Sequence, residues 1–141
     1  MFHDVLFWAF QVINGLTALS MFLAPKTFHE SMLKEPAKIY AKLGFSETAV
    51  EMLHNVIRGQ GAALLAISAY LFALGSDERS AYLLIALACG LSLCAHIATA
   101  RHHAKSPLVM EAIGSLGAMY PILAINTTFA LLASAIYVGI L

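Results

Sequence analysis

Four long apolar runs occupy most of this 141-residue chain. Each reaches or nearly reaches the roughly 20 residues that an α-helix needs to cross the hydrocarbon core of a bilayer. A backbone in lipid must satisfy its own hydrogen bonds, so runs of this kind are expected to be helical. Charged residues make up only 11% of the chain, whereas soluble domains contain about 25%. The sequence therefore predicts an all-α, polytopic membrane four-helix bundle.

The predicted architecture is one transmembrane domain that covers residues 1–141. Its helices span about residues 4–24, 48–74, 80–101 and 107–141, and an interfacial amphipathic segment of one or two short helices covers residues 26–45. A short polar turn follows residue 74, so the second and third helices are expected to lie antiparallel and side by side. Thr48 and Glu51 have the spacing of a capping box.

The last run is longer than one membrane crossing requires. Residues 108–141 would span about 51 Å as one straight helix, whereas the hydrocarbon core is roughly 30 Å thick. Pro121 is the expected position of a kink. The run is therefore either one kinked helix or an interfacial part followed by a spanning part. Only a crossing that starts at Pro107 would bring Glu111 to the depth of the polar residues on the other helices.

Positive charges are distributed unequally between the connections. The first connection contains Lys26, Lys34, Lys38 and Lys42, the third contains Arg101 and Lys105, and the second contains Arg79 alone. Cytoplasmic loops are enriched in Lys and Arg, so the first and third connections are predicted to be cytoplasmic and both termini to lie outside. The chain is thus expected in the cytoplasmic membrane. Its net charge of zero does not indicate a nucleic-acid partner.

One arginine, Arg58, lies well inside the second apolar run. At 1.5 Å per residue it is about 15 Å from Thr48, close to the middle of the membrane. A charge there costs at least roughly 2.5 kcal/mol on insertion scales, so Arg58 is expected to face the bundle interior and to have a partner. Glu51 and His54 precede it at spacings that place all three on one helix face.

Other polar side chains are predicted at matching depths on neighbouring helices. His54 lies about 9 Å from Thr48 and His96 about 8 Å from Arg101, so both imidazoles are expected in one layer. The candidate ligand-binding residues are Arg58, His54, His96, Glu51, Glu111, Asn14 and Gln11. Such a polar column could hold the head of a lipophilic ligand, or Arg58 could simply fix the register of the bundle.

Motifs for chemistry are sparse. Glu51 and His54 have the i, i+3 spacing of carboxylate-bridged di-iron bundles, but a second copy of the motif is missing from the sequence. There is no nucleophile elbow, Cys-x-x-Cys pair or phosphate-binding glycine loop. No catalytic residue or metal ligand is therefore assigned, and haem and quinone are kept as the alternatives for a cofactor.

Small residues recur at intervals that favour close packing of membrane helices. These rows are Ala86, Gly90 and Cys94 on the third helix and Ala62, Ala66 and Ala73 on the second. Gly59 and Gly61 are also predicted to be packing positions.

Two segments resemble the small four-helix DoxX-like membrane proteins. They are Ala24-Pro25 at the end of the first helix and Val56-Ile57-Arg58-Gly59-Gln60-Gly61-Ala62 in the second. The family has an Arg-x-x-Gly pattern in its second helix, which Arg58 and Gly61 match. The resemblance covers about the first half of the chain. It implies a four-helix bundle, in a family that includes subunits of redox complexes.

Two functions are compatible with these features. The first is a small accessory subunit or scaffold that packs against a larger membrane assembly and has no catalysis of its own. The expected partners are then the lipid bilayer and other membrane protein subunits. The alternative is a binding protein or enzyme for a lipophilic ligand (quinone, lipid or haem). There Arg58 would hold an anion, and His54 or His96 would transfer protons because imidazole titrates near neutral pH.

The predicted orientation can be tested with reporters fused to the C-terminus. An alkaline phosphatase fusion is expected to be active and a green fluorescent protein fusion dark, because the C-terminus is predicted to lie outside the cytoplasm. A fusion that fluoresces and lacks phosphatase activity would reverse the assignment.

Overall fold

The computed structural model describes residues 2–107, 110 and 120–141, and at residues 102 and 103 it describes the backbone alone. Within these residues the secondary structure is entirely helical, which confirms the predicted all-α class. The helices are α1 (Phe2–Leu23), α2 (Pro25–Glu30), α3 (Pro36–Lys42), α4 (Glu47–Leu74), α5 (Arg79–His103) and α6 (Tyr120–Tyr137).

Four of these helices are long and apolar enough to cross a membrane. They are α1, α4, α5 as far as Arg101, and α6. Large apolar side chains lie exposed along all four, for example Leu16, Phe72, Leu91 and Leu131, each more than 60% exposed. A surface of this kind is suited to lipid and would be unfavourable in water. The chain is therefore an integral membrane protein.

The observed helix bounds are close to the predicted ones in the first three runs. Helices α1, α4 and α5 each begin and end within two residues of the expected positions. The interfacial segment contains the two short helices α2 and α3, each beginning at a proline whose missing N–H is tolerated in a first turn. Helix α6 ends at Tyr137, before the predicted end at residue 141. The choice between a kinked helix and two segments falls on residues 108–119, which, Met110 excepted, lie outside the described part.

The start of α4 differs from the predicted capping box. Ser46 is the N-cap, and its Oγ accepts a hydrogen bond from Ala49 N at 3.2 Å. The helix therefore begins one residue earlier than predicted, and Thr48 lies inside its first turn. At the other end Gly75 has a positive φ of 83° and donates its N–H to Leu71 O. This conformation favours glycine and turns the chain toward α5.

Helices α1 and α4 form one closely packed antiparallel pair. The ring of Trp8 near the start of α1 lies 5.9 Å from that of Phe72 near the end of α4. Farther along the pair, Ala18 of α1 lies against Gly61 of α4. The buried and half-buried positions of α4 repeat at intervals of three and four: Ile57, Gly61, Leu64, Ser68 and Leu71. Such a repeat produces a continuous contact face along the helix.

Helices α5 and α6 form the second pair, and α4 touches α5 only slightly. The expectation that the second and third long helices pack side by side is therefore wrong, although only a short turn joins them. The physical reason is that the glycine-containing face of α4 lies against α1, so α1 is its main partner. The buried residues of the second pair are Ala81, Tyr82, Ile85, Cys89, Phe129, Ala133 and Ile136.

The two pairs are joined in a core near the start of α1 and the turn between α4 and α5. Phe7 and Tyr82 are each 1% exposed in this core. The Tyr82 hydroxyl donates a 2.6 Å hydrogen bond to Ser76 O, and Ser76 Oγ donates to Asp4 Oδ1 at 2.7 Å. The ring of Phe10 lies 5.5 Å from that of Phe129. Polar and apolar contacts thus hold all four long helices together at this end.

Gly61 is a position of close approach between α1 and α4. A Cβ atom there would lie 2.7 Å from Phe22 N and 2.8 Å from Ala18 O, both of them backbone atoms. The prediction that Gly61 is a packing position is confirmed. Gly59 and Gly90, by contrast, have no atom within 4 Å of such a Cβ.

The predicted small-residue rows make only a small part of the contacts within the bundle, where Ala86 of the α5 row packs against the buried core. Ala62, Ala66 and Ala73 are exposed on α4, and Cys94 is exposed on α5. On α5 the side chains of Tyr82, Ile85 and Cys89 form the buried face, and Gly90 is half-buried beside it.

Substituting Gly61 should weaken the α1–α4 pair, whereas the same change at Gly59 should not. Gly61→Ala places a methyl group against backbone atoms that cannot rotate away, so a loss of about 1–3 kcal/mol is expected. Gly59→Ala is expected to be neutral or stabilising by up to about 1 kcal/mol, since glycine is unfavourable in a helix. Thermal unfolding of the two purified variants in detergent measures the difference. Equal melting temperatures would contradict the close contact at Gly61.

Candidate functional site

A cavity of about 580 Å³ lies between the two helix pairs. It forms where α1 and α4 on one side are separated from α5 and α6 on the other. Most of the side chains around it are apolar, and Phe28 of α2 also contributes. Its polar lining residues are Asn14, Thr17, Gln60, Ser92, His96 and Asn126. Among the described residues no Asp, Glu, Lys or Arg lines it, and its polar groups are amide, hydroxyl and imidazole side chains within a largely apolar lining.

Asn14 and Gln11 connect α1 to α4 through one serine. Asn14 Nδ2 donates to Ser68 Oγ at 2.7 Å, and Gln11 Nε2 donates to Ser68 O at 2.9 Å. Both candidate residues are half-buried, as expected for the bundle interior, and Asn14 also lines the cavity. Ser68 was not identified from the sequence, although its place in the buried repeat of α4 is a usable signal. These bonds hold the Asn14 side chain in a defined orientation.

His96 lines the same cavity from α5. Its Nδ1 lies 2.7 Å from Ser92 O, and a carbonyl oxygen can only accept, so Nδ1 carries the proton and donates. In the neutral imidazole this leaves Nε2 as a hydrogen-bond acceptor. His96 is half-buried.

Asn126 is a cavity residue that the sequence analysis missed. Its Nδ2 donates to Ile122 O within α6 at 3.0 Å. An amide side chain within an apolar run was the available signal. It was overlooked because Asn126 has no charge and belongs to no motif.

His54 lies at a different place from His96. Its ring is 5.7 Å from that of His29 in α2, and it is not among the residues that line the cavity. His29 Nδ1 is hydrogen-bonded to the Tyr40 hydroxyl of α3 at 2.9 Å. His54 Nε2 is buried without a hydrogen-bond partner among the described residues. The two predicted imidazoles thus belong to separate sites, and His54 belongs to a cluster where α2, α3 and α4 meet.

Arg58 and Glu51 are exposed, so the expectation that Arg58 faces the bundle interior is wrong. Arg58 Nη1 donates to Asn55 Oδ1 on the same helix at 2.9 Å. The reason is helical geometry: neighbouring residues are about 100° apart around the axis, and Ile57 occupies the buried face. Of the predicted face, Glu51 and Arg58 lie on the outer surface of α4 together with Asn55, whereas His54 is half-buried and contacts His29.

Glu111 lies outside the described residues. Within the residues that the structure does describe, no three His, Cys, Asp or Glu side chains come together as a metal site. Of the candidate column, then, Asn14, Gln11 and His96 lie inside the bundle, whereas Arg58 and Glu51 lie on its surface.

Comparison of the chain with protein-family models, curated proteins and solved structures gives no match. The similarity to the DoxX-like proteins therefore stays a prediction.

His29 is expected to titrate below an ordinary histidine. Partial burial lowers its pKa first, the neighbouring His54 lowers it further, and Glu30 acts in the opposite direction. Because folding lowers this pKa, the contribution of His29 to the free energy of unfolding is fully present above the unfolded-state pKa of about 6.5. That contribution is lost as the pH falls through the lower pKa of the folded state. Contact of His29 with His54 and Tyr40 should therefore loosen in mild acid.

The pKa of His29 can be measured by NMR titration of ring-labelled histidine. His54→Asn is expected to raise this pKa, because it removes one of the two causes that lower it. His96→Asn is the matched control and should leave it unchanged, since His96 lines the separate cavity. An ordinary pKa for His29 in the unaltered protein would contradict the described geometry.

Proposed function

We propose that this chain is an integral membrane subunit, without catalysis of its own, that binds a partner membrane protein through the outer face of α4. The observation that carries the proposal is the position of Arg58. It is exposed within a membrane-spanning helix, and its side chain is hydrogen-bonded only to Asn55 of the same helix among the described residues. In the proposed orientation, the connection before α4 and the connection after α5 face the cytoplasm.

Arg58 is too deep in the membrane to be left facing lipid without cost. It is eleven residues beyond the start of α4, which corresponds to about 16 Å along the helix axis. An arginine near the bilayer centre costs at least roughly 2.5 kcal/mol, part of which its long side chain can avoid by extending toward the headgroups. A carboxylate or amide on a neighbouring helix would reduce this cost further. The position of Arg58 thus favours a protein neighbour on this face.

The same face has the surface that such a neighbour requires. Its exposed residues recur at intervals of three and four, and we call them the outer stripe of α4: Glu51, Asn55, Arg58, Ala62, Ala66, Ala69 and Ala73. Polar groups occupy one half of the stripe and alanines the other. Without a hydrophobic driving force in lipid, small residues support helix association by allowing close backbone contact.

The expected partner follows from this division of the outer stripe. It is a transmembrane helix that places small residues along the alanines and an acidic or amide side chain at the depth of Arg58. Neighbouring exposed positions such as Met52 and Tyr70 carry large side chains and are suited to lipid contact.

Blocking the outer stripe should release the partner without unfolding the chain. Ala62→Trp places a large ring on the stripe, and complexes purified in mild detergent are expected to lose most of their partner. Ala63→Trp is the matched control, because Ala63 is also exposed but lies about 100° away on the same helix. Native electrophoresis with mass spectrometry of the bands measures the outcome. Equal partner recovery from both variants would contradict the proposal.

Arg58→Gln tests the charge separately from the shape. The partner yield is expected to fall at least several-fold, whereas the melting temperature of the isolated chain should stay within about a degree because the contacts of Arg58 are intrahelical. If the purified complex contains only a second copy of this chain, the outer stripe binds that copy and the assembly is a homodimer.

A further inference from the structure

We infer that the cavity between the two helix pairs binds an uncharged lipophilic molecule whose polar head is a hydroxyl group. This inference rests on the cavity alone and is independent of the partner proposed for the outer stripe of α4. It involves none of the exposed residues Glu51, Asn55 and Arg58.

The size and lining of the cavity fit a small amphiphile. Its volume of about 580 Å³ lies within the range of about 300–1,000 Å³ that is typical of small-molecule sites. Phe10, Leu64, Ile125 and Phe129 are among the apolar residues around it. Because all four long helices are candidate membrane spans, a ligand would enter from the bilayer and bring its apolar body with it.

The charge of the lining determines which head group is suitable. Among the described residues no Lys or Arg faces the cavity, and Arg58 lies on the outer surface. A carboxylate or phosphate would therefore be transferred into an apolar site without a counter-ion, which is strongly unfavourable. Asp and Glu are likewise missing from its lining within the part of the chain that the structure describes, so an amine is equally unsuited. A fatty-acid anion and a phospholipid head are thus poorer ligands than a neutral head group.

The hydrogen-bonding state of the polar residues points to a donor on the ligand. His96 Nδ1 donates to Ser92 O, Asn14 Nδ2 donates to Ser68 Oγ, and Asn126 Nδ2 donates to Ile122 O. Each of the three side chains has therefore used a donor within the protein.

Each of these side chains keeps one acceptor atom without a hydrogen bond among the described residues: Asn14 Oδ1, Asn126 Oδ1 and, in the neutral imidazole, His96 Nε2. The amide of Gln60, which also lines the cavity, has no hydrogen bond among the described residues. A ligand that fills the cavity covers these acceptors, and an acceptor covered without a donor is unfavourable, so the ligand should supply an O–H group. The hydroxyl oxygen can in turn accept the remaining N–H of either asparagine. An ether or ester lacks the donor and satisfies the site less well.

The test uses three photoactivatable probes with the same diazirine-bearing C16 chain: the alcohol, its methyl ether and the corresponding fatty acid. The intact protein in lipid nanodiscs is irradiated at pH 7.5, and labelled peptides are identified by mass spectrometry. We expect the alcohol to label cavity residues, and the ether to label them about three- to tenfold less, which corresponds to one lost hydrogen bond. The fatty acid should label them least.

A matched pair of variants on α5 separates the cavity from the lipid-facing surface. Ala88 lines the cavity and Ala95 is exposed on the same helix. Ala88→Phe is expected to reduce labelling by the alcohol at least tenfold, whereas Ala95→Phe should leave it unchanged. Asn126→Leu keeps the approximate size of the side chain, so it should retain labelling by the ether and reduce the preference for the alcohol. This variant keeps the test decisive if Ala88→Phe does not fold.

Competition with unlabelled lipids distinguishes the natural sources of a hydroxyl head. A sterol, a diacylglycerol and a long-chain alcohol are added separately, and the one that prevents labelling at the lowest concentration identifies the class. Equal labelling by alcohol and ether, preference for the fatty acid, unchanged labelling of Ala88→Phe, or no competition by any of the three would overturn the inference. Release of a partner by Ala62→Trp does not bear on any of these outcomes.

Discussion

The close contact of α1 with α4 at Gly61 is the constraint on which the rest of the structure depends. Only a residue without a side chain allows the backbone of α1 at Ala18 to approach so near. This contact determines which face of α4 is buried, and it brings Ser68 within reach of Gln11 and Asn14. It also directs Arg58 away from α1, so the charge of the second apolar run lies on the outside of the bundle.

The pairing of α1 with α4 and of α5 with α6 explains the cavity. The pairs meet in the core around Phe7 and Tyr82, and the space between them is wide enough elsewhere for a small molecule. Among the described residues, amide, hydroxyl and imidazole groups are the polar groups that line that space, whereas Arg58 and Glu51 lie on the outer surface. Within the described residues, the bundle thus separates an internal cavity without carboxylate, ammonium or guanidinium groups from an external stripe that contains Arg58 and Glu51.

The sequence predicted the helices well and the site only in part. Long apolar runs determine where membrane helices begin and end, because lipid offers no other hydrogen-bond partners for the backbone. Interior positions of Gln11, Asn14 and His96 were predicted correctly. The contacts of the two imidazoles came from the structure: His96 donates to Ser92 O four residues away on its own helix, and His54 contacts His29.

By itself, then, the sequence determined four apolar helices, an interfacial segment of one or two short helices and the presence of a charge at membrane depth. Only the tertiary structure decided which face of each helix is buried. The physical reason is that a membrane helix is apolar on every side, so hydrophobic periodicity does not distinguish the protein-facing side from the lipid-facing side. That choice depends on shape, here on Gly61 fitting against α1 where Gly59 meets no neighbour, and it places Ile57 inside and Arg58 outside.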